Sequence, residues 1–245
     1  MKADSIIRLD GVSKSFGALK VIDELSMSLA PGEALGVIGP NGAGKSTMFN
    51  LITGGLAPDA GRIMFGERDV TRLAPHARCR LGIGRSYQIP QPFGGMTVFE
   101  NVLVGATFGG GRPERQCHES CIAVLEKTGL LGKANRLAGS LTLLERKRLE
   151  LARALSIGPK VLLLDEIAGG LTEGECQELV ETIRAIHGSG VSLIWIEHVV
   201  HALLSAVSRL LVINFGRPLA EGEPHAVMGD VRVQSVYMGI DEDAA

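Results

Sequence analysis

Gly39-Pro40-Asn41-Gly42-Ala43-Gly44-Lys45-Ser46-Thr47 is the stretch from which the rest of the chain is read. It satisfies G-x-x-x-x-G-K-[ST] in full. It also has the context this pattern requires, with an apolar run over 34–38 before it and a helical pattern over 45–53 after it. Gly42 and Gly44 let the backbone curl so that successive N–H groups face one anion. The helix that follows adds its positive end. Lys45 brings a point charge to the β- and γ-phosphates, and the Ser46 hydroxyl is a natural Mg2+ ligand. The stretch predicts a chain that binds Mg-ATP through residues 39–47.

Outward from the loop, short β-rich segments precede it at 6–9, 12–16 and 25–29, and strand patterns follow at 62–65 and 83–87. From about 97 to 155 the pattern is helical, with capping boxes at Thr97-x-x-Glu100 and Thr142-x-x-Glu145 and a break at Gly109-Gly110-Gly111. Apolar strand patterns return at 161–164, 191–196 and 210–215, with a helix over 173–187 and a turn at Gly216. Runs of Val, Ile and Leu bounded by helices predict an α/β fold with a parallel sheet covered on both faces and a helical insertion in its middle.

The bulk properties exclude several classes. A net charge of -2 and an aromatic content of 4% argue against a nucleic-acid footprint, which is basic and, for single strands, rich in stacking side chains. Glycine is 32 of 245 residues, roughly twice its usual share, so tight turns and close backbone approaches are many. Cys79, Cys117, Cys121 and Cys176 have no paired C-x-x-C spacing. Cys117, His118 and Cys121 share a helical face but lack further metal ligands, so the thiols read as reduced. The opening Met1-Lys2-Ala3-Asp4-Ser5-Ile6-Ile7 is unlike a secretory leader, and the apolar runs stop far short of the ~20 residues that span a bilayer. The expectation is a soluble protein that meets a membrane through a partner.

A second site lies downstream. Leu162-Leu163-Leu164-Asp165-Glu166 ends an apolar strand with two carboxylates. Asp165 is placed to hold Mg2+, directly or through water, and Glu166 to polarise the attacking water as base or orienter. His198 follows the 191–196 strand, within reach of a γ-phosphate. Gln88 ends the 83–87 strand, where a neutral amide touches both the Mg2+ site and the water.

The order of these features is specific: phosphate loop, Gln88, helical insertion, Leu141-Thr142-Leu143-Leu144-Glu145 leading into Arg148-Leu149-Glu150-Leu151-Ala152-Arg153-Ala154-Leu155, then Asp165-Glu166 and His198. Over nearly its whole length the chain resembles the ATP-binding subunit of an ABC transporter. Within that family it is most similar to the ATPase subunits of branched-chain amino acid importers, through Met48-Phe49-Asn50-Leu51-Ile52-Thr53-Gly54, Ile196-Glu197-His198 and the ending Val236-Tyr237-Met238-Gly239.

The resemblance implies a single ABC domain over 1–245. A nucleotide-binding core with a RecA-like sheet and an N-terminal antiparallel β subdomain would occupy about 1–95 and 156–245, and a helical subdomain about 96–155. It implies that Phe16 stacks on adenine, that Gln88 senses nucleotide and contacts a transmembrane subunit, that Glu166 is the catalytic glutamate and that His198 is the switch histidine. Two such subunits close face to face on two ATP molecules, each site pairing one phosphate loop with the other chain's signature segment. Transmembrane permease subunits, and an extracytoplasmic solute-binding protein indirectly, are the implied partners, with no nucleic acid. The implied location is peripheral, on the cytoplasmic face of the plasma membrane. Ile89, Pro90, Pro92 and Phe93 form an apolar stretch suited to a membrane subunit's helix.

The chain departs from the family at its signature, usually Leu-Ser-Gly-Gly-Gln. Here Leu143 and Leu144 replace the glycines, and Glu145 adds a negative charge. A like-charge contact at ~4 Å and an effective dielectric of ~20 costs about 4 kcal/mol as an upper figure, unless Glu145 turns back to cap its own helix. Ile167 replaces a common Pro, and Gly170-Leu171-Thr172 stands where Leu-Asp is frequent. The expectation is a pairing with a different ATPase chain that carries an ordinary signature, a homodimer being the alternative. Two other classes stay in view, a soluble ABC-type ATPase acting on nucleic acid or ribosomes and a non-hydrolysing ATP-binding regulator. Salt-dependent DNA binding would favour the first, and intact Glu166 and His198 speak against the second.

Overall fold

The computed structural model describes residues 5–238. Residues 1–4 of the N-terminal stretch and Gly239 of the C-terminal match lie outside them. The chain divides into two compact units, Met1–Pro75 with Ile194–Ala245, and His76–Leu193.

In the first unit, β1 (Ile7–Phe16) and β2 (Leu19–Leu29) pair antiparallel, and both come before β3 (Ala34–Ile38) and α1 (Lys45–Thr53). With β4 (Ala60–Phe65) and β5 (Arg68–Asp69) they form a sheet in the order β2-β1-β4-β5. The segments expected at 6–9 and 12–16 are one strand, because the register shifts between Leu9 and Val12 without ending the pairing. The Gly11 N–H at that irregularity donates to Ser26 Oγ at 2.9 Å. All five residues of β3 are buried, which accounts for its unbroken apolar run. It pairs in parallel with β9 (Arg209–Asn214), and β9 pairs antiparallel with β10 (Arg217–Gly222). The helix expected over 45–53 forms over those residues and buries Met48, Phe49, Leu51 and Ile52.

In the second unit, α2 (Pro75–Leu81), which starts at the boundary, leads into β6 (Ile83–Arg85). After it come α3 (Val98–Val104), α4 (His118–Lys127) and α5 (Leu143–Ser156), then β7 (Val161–Asp165) and α6 (Glu173–Gly188). β6 and β7 pair in parallel. The chain returns to the first unit within β8 (Ser192–Ile196), and α7 (Val200–Leu204), β9, β10, α8 (Pro224–Met228) and α9 (Val231–Met238) follow. Both expected capping boxes form, at Thr97 with Glu100 and at Thr142 with Glu145. A third, Thr172 with Glu175, starts α6 from the same T-x-x-E pattern. α3 does not stop before the glycines. It continues as a π-helical turn, Gly105–Gly109, and the break falls at Gly110.

Val98, Val102, Cys117, Cys121, Leu125, Leu141 and Leu149 are among the residues of one apolar core that joins α3, α4 and α5. Burial pushes the Cys121 thiol up to about 11, with the Cys117 neighbour adding to the effect, and both side chains pack into this core. Among the described residues no group of three or more His, Cys, Asp or Glu side chains is placed to hold a metal ion. Nor is any helix there long and apolar enough to cross a membrane.

Candidate active site

In the first unit, β3 runs straight into the phosphate loop. Gly42 and Gly44 take left-handed φ values of 81° and 103°, as the curled loop requires, and Gly44 caps α1. Lys45 is the first residue of the helix and is only 6% exposed. Its ammonium lies back over its own loop, donating to the Gly39 carbonyl at 2.7 Å and the Pro40 carbonyl at 3.0 Å. Ser46 and Thr47 follow on the exposed to half-exposed side of the same turn. Phe16, at the end of β1, is 48% exposed, with Lys14 Nζ 5.8 Å from its ring centre. His198 is exposed in the turn between β8 and α7.

The loop is braced by a residue that the sequence marks only as a turn. Gly216 N–H donates to the Ala43 carbonyl at 3.0 Å, and the Gly216 carbonyl accepts from Asp23 N–H at 3.0 Å. Gly216 has φ 75°, and a Cβ there would stand 2.3 Å from the Val21 carbonyl oxygen. Gly216→Ala therefore meets both a left-handed backbone penalty and a clash with backbone that cannot rotate away. The expected loss is about 2–4 kcal/mol. It should be read as a fall in thermal midpoint together with weaker ATP binding, because the brace reaches the loop at Ala43. A variant with unchanged midpoint and affinity would remove Gly216 from this role.

In the second unit, β7 is buried along its length and ends at Asp165, itself 5% exposed. Arg85, at the end of the neighbouring strand β6, donates to Asp165 Oδ2 at 2.6 Å. Arg85 was not singled out in the sequence; the two residues are 80 positions apart, and a lone arginine at a strand end carries no signal. Glu166 has a left-handed φ of 46°, a conformation that costs a non-glycine residue of order 1 kcal/mol and that collects at functional sites. Gln88 Nε2 donates to Glu166 Oε2 at 2.5 Å, so the fold brings together the amide and the carboxylate expected to act on the water.

The strand expected over 83–87 stops at Arg85. Ser86 N–H still reaches the Leu163 carbonyl at 2.9 Å, and the Lys147 ammonium of α5 then takes the Gln88 carbonyl at 3.5 Å. Burial pushes the Glu150 carboxyl above its usual range, against the opposing pull of Arg153 and of the N–H groups of Tyr87 and Gln91. Beyond Gln88 the loop is open to solvent at Ile89, 69% exposed, and Phe93, 45% exposed.

The signature segment begins α5. Thr142 is its N-cap, and Glu145 turns back so that its Oε2 accepts from the Thr142 N–H at 2.9 Å. Lys133 forms an ion pair with the other carboxylate oxygen. Leu141 and Leu144 are buried, whereas Leu143 is 45% exposed and lies beside Gly170, where a Cβ would meet Leu143 Cδ2 at 3.4 Å. Of the two leucines that replace glycine, then, only Leu143 presents its bulk at the helix start. The charge of Glu145 is met by Lys133, which the sequence reading did not identify.

The site asks for a polyphosphate and a hard cation. In the first unit the loop supplies curled backbone and a helix N-terminus for the phosphates and Ser46 offers an oxygen donor; in the second unit Gln88 and Asp165 offer oxygen donors of their own. A buried strand that feeds a glycine loop, Lys45 at the head of the next helix and an Asp-Glu pair closing another buried strand define a P-loop nucleotide-binding protein. Comparison with known proteins narrows the class. The family model for ABC transporters matches residues 22–169, and the chain belongs to that family.

It is 34% identical to the probable branched-chain amino acid transport ATP-binding protein LivG of Methanocaldococcus jannaschii, over 96% of this chain and 97% of that protein. It is also 34% identical to the lipopolysaccharide export system ATP-binding protein LptB of Acidithiobacillus ferridurans, over 96% of this chain and 97% of that one. The crystal structure of an ABC transporter's ATP-binding cassette in its ADP conformation superposes with a TM-score of 0.88. That structure is 33% identical to this chain and is matched over 96% of this chain and 99% of its own length.

Proposed function

We propose that this chain is the ATP-hydrolysing subunit of an importer for branched-chain amino acids or related small organic solutes. The observation that carries the reading is the Gln88–Glu166 hydrogen bond at the end of β7, in a chain that keeps a complete phosphate loop. A regulator that only bound ATP would have no need to hold a strained glutamate against an amide.

The phosphate-loop N–H groups and the α1 N-terminus bind the phosphates, and Lys45 exchanges the Gly39 and Pro40 carbonyls for phosphate oxygens. Phe16 offers its exposed ring to the adenine. Glu166 accepts a hydrogen bond from the attacking water, oriented by Gln88. The water oxygen bonds to the γ-phosphorus as the bond to the ADP oxygen breaks, and its proton passes to Glu166 or to the phosphate formed. His198 donates to the γ-phosphate. Ser46, Asp165 and Gln88 would hold Mg2+, which neutralises charge on the β- and γ-oxygens when bound.

The partners in this reading are permease subunits, docked on the exposed stretch around Ile89, and a second cassette, a different chain with an ordinary signature. The chain works at the cytoplasmic face of the membrane as a peripheral subunit. LptB stands at the same identity as LivG, so overall similarity does not choose the solute. The choice of amino acids rests on the resemblance carried by residues 48–54, 196–198 and 236–239.

The test is uptake. Cells lacking this chain should lose Mg-ATP-dependent accumulation of labelled leucine, isoleucine and valine. The wild-type chain should restore it, and Glu166→Gln should not. Undiminished uptake of all three in the deletion would remove the amino-acid reading while leaving the ATPase intact.

A further inference from the structure

α5 carries Lys147, Glu150 and Arg153 three residues apart, a spacing that places them on one side of the helix. Charges at that spacing usually face water. Here Lys147 is 3% exposed and Glu150 is 6% exposed, and both face the loop after β6. Lys147 Nζ donates to the Gln88 carbonyl at 3.5 Å, and Arg153 donates to the Gln91 carbonyl at 2.9 Å. Glu150 pairs with Arg153 at 3.1 Å, which sets the guanidinium on the Gln91 carbonyl, and the Tyr87 and Gln91 N–H groups lie near enough to pull the buried carboxyl down against the effect of burial. The Arg153 guanidinium lies 5.0 Å from the Phe93 ring centre. Pro90 and Pro92 leave the loop poor in N–H groups, so side chains of α5 hold its backbone.

We propose that Glu150 is a positioning residue for Gln88. It holds Arg153 on the Gln91 carbonyl while Lys147 holds the Gln88 carbonyl, and thereby keeps the Gln88 amide on Glu166. Glu150 stands on the helix whose first turn is Leu143-Leu144-Glu145, so the Gln88 loop and the signature turn move as one piece. The proposal rests on the reading of Gln88 and Glu166 given above. Charge is what suits the position: an apolar side chain would leave the Arg153 guanidinium without its carboxylate, and a neutral amide would keep a hydrogen bond but lose the ion pair.

The experiment uses the full chain, alone for amide exchange and nucleotide binding and assembled with its transmembrane partners for turnover. In Glu150→Ala the Tyr87 and Gln91 amides should exchange at least about tenfold faster, and kcat should fall about tenfold. The Kd for ATP should stay within about twofold, because the phosphate loop is untouched. Glu150→Gln should give intermediate values, and it carries the test if Glu150→Ala does not fold. Glu150→Ala combined with Gln88→Ala should be no slower than Gln88→Ala alone, as expected of residues acting through one another. Additive losses would overturn the proposal, and so would unchanged exchange at both amides. Turnover that survives Gln88→Ala by itself would instead remove the role of Gln88 on which the proposal depends.

Discussion

Glu166→Gln should lower ATP turnover by about 10²–10⁴-fold while leaving ATP binding within a few-fold of wild type. The substitution keeps the shape of the side chain and its ability to meet Gln88, but it removes the carboxylate that accepts from the water. The phosphate loop is on other residues and is not disturbed. The same variant reports on assembly, because blocked hydrolysis traps any closed pair of cassettes. Its mass, measured by light scattering after size exclusion with and without Mg-ATP, should remain that of a monomer if the Leu141–Glu145 segment needs a different chain opposite it. An ATP-dependent doubling would show that Thr142, Leu143 and Leu144 can complete a site in a second copy, and the asymmetric pairing would fall. The exposed Leu143 is the residue with the bulk to oppose such closure, since Glu145 is already held by Thr142 and Lys133. Turnover within a few-fold of wild type would take Glu166 out of the catalytic role.

Lys45→Ala should weaken ATP binding by about 2–3 kcal/mol, or roughly 30–150-fold in Kd, the usual worth of a hydrogen bond to a charged group with its partner. The structure adds a reason for the loss to appear in binding rather than in folding. The Lys45 ammonium rests on two carbonyls of its own loop, Gly39 and Pro40, so the variant loses local contacts and no packed core. The thermal midpoint without nucleotide should move little, and the extra stability that ATP confers on the wild type should largely vanish, as linkage requires of weaker binding. A variant that bound ATP as tightly as wild type would mean that the loop amides carry the affinity by themselves.

Local pattern made much of the nucleotide site legible. The motif at 39–47, the apolar run of β3 and the helix after it are contiguous, so residue spacing alone predicts strand, loop and helix, and each forms over the expected residues. The same holds for Asp165, which ends a fully buried strand, for Glu166 just after it, and for the capping boxes, whose partners are three residues apart. Strand ends were less legible. β6 stops two residues early, at a loop whose carbonyls are held by side chains of a distant helix, and β1 continues through an irregular register that the pattern presents as two segments.

What the sequence determined by itself was therefore the chemistry on offer: a phosphate loop, an acid pair, an amide, a histidine and a signature with leucine where glycine is usual. Tertiary structure alone decided how those groups are held. It chose Arg85 for Asp165 across 80 positions, Lys147 and Arg153 for the Gln88 loop across 59 and 62, and Gly216 as the brace under Ala43. The physical reason is range. Periodicity and capping are set by neighbours within a turn or a strand, whereas an ion pair or a backbone brace depends on which distant segments the core brings together, and a charged residue or a glycine looks the same in sequence whether or not such a partner arrives.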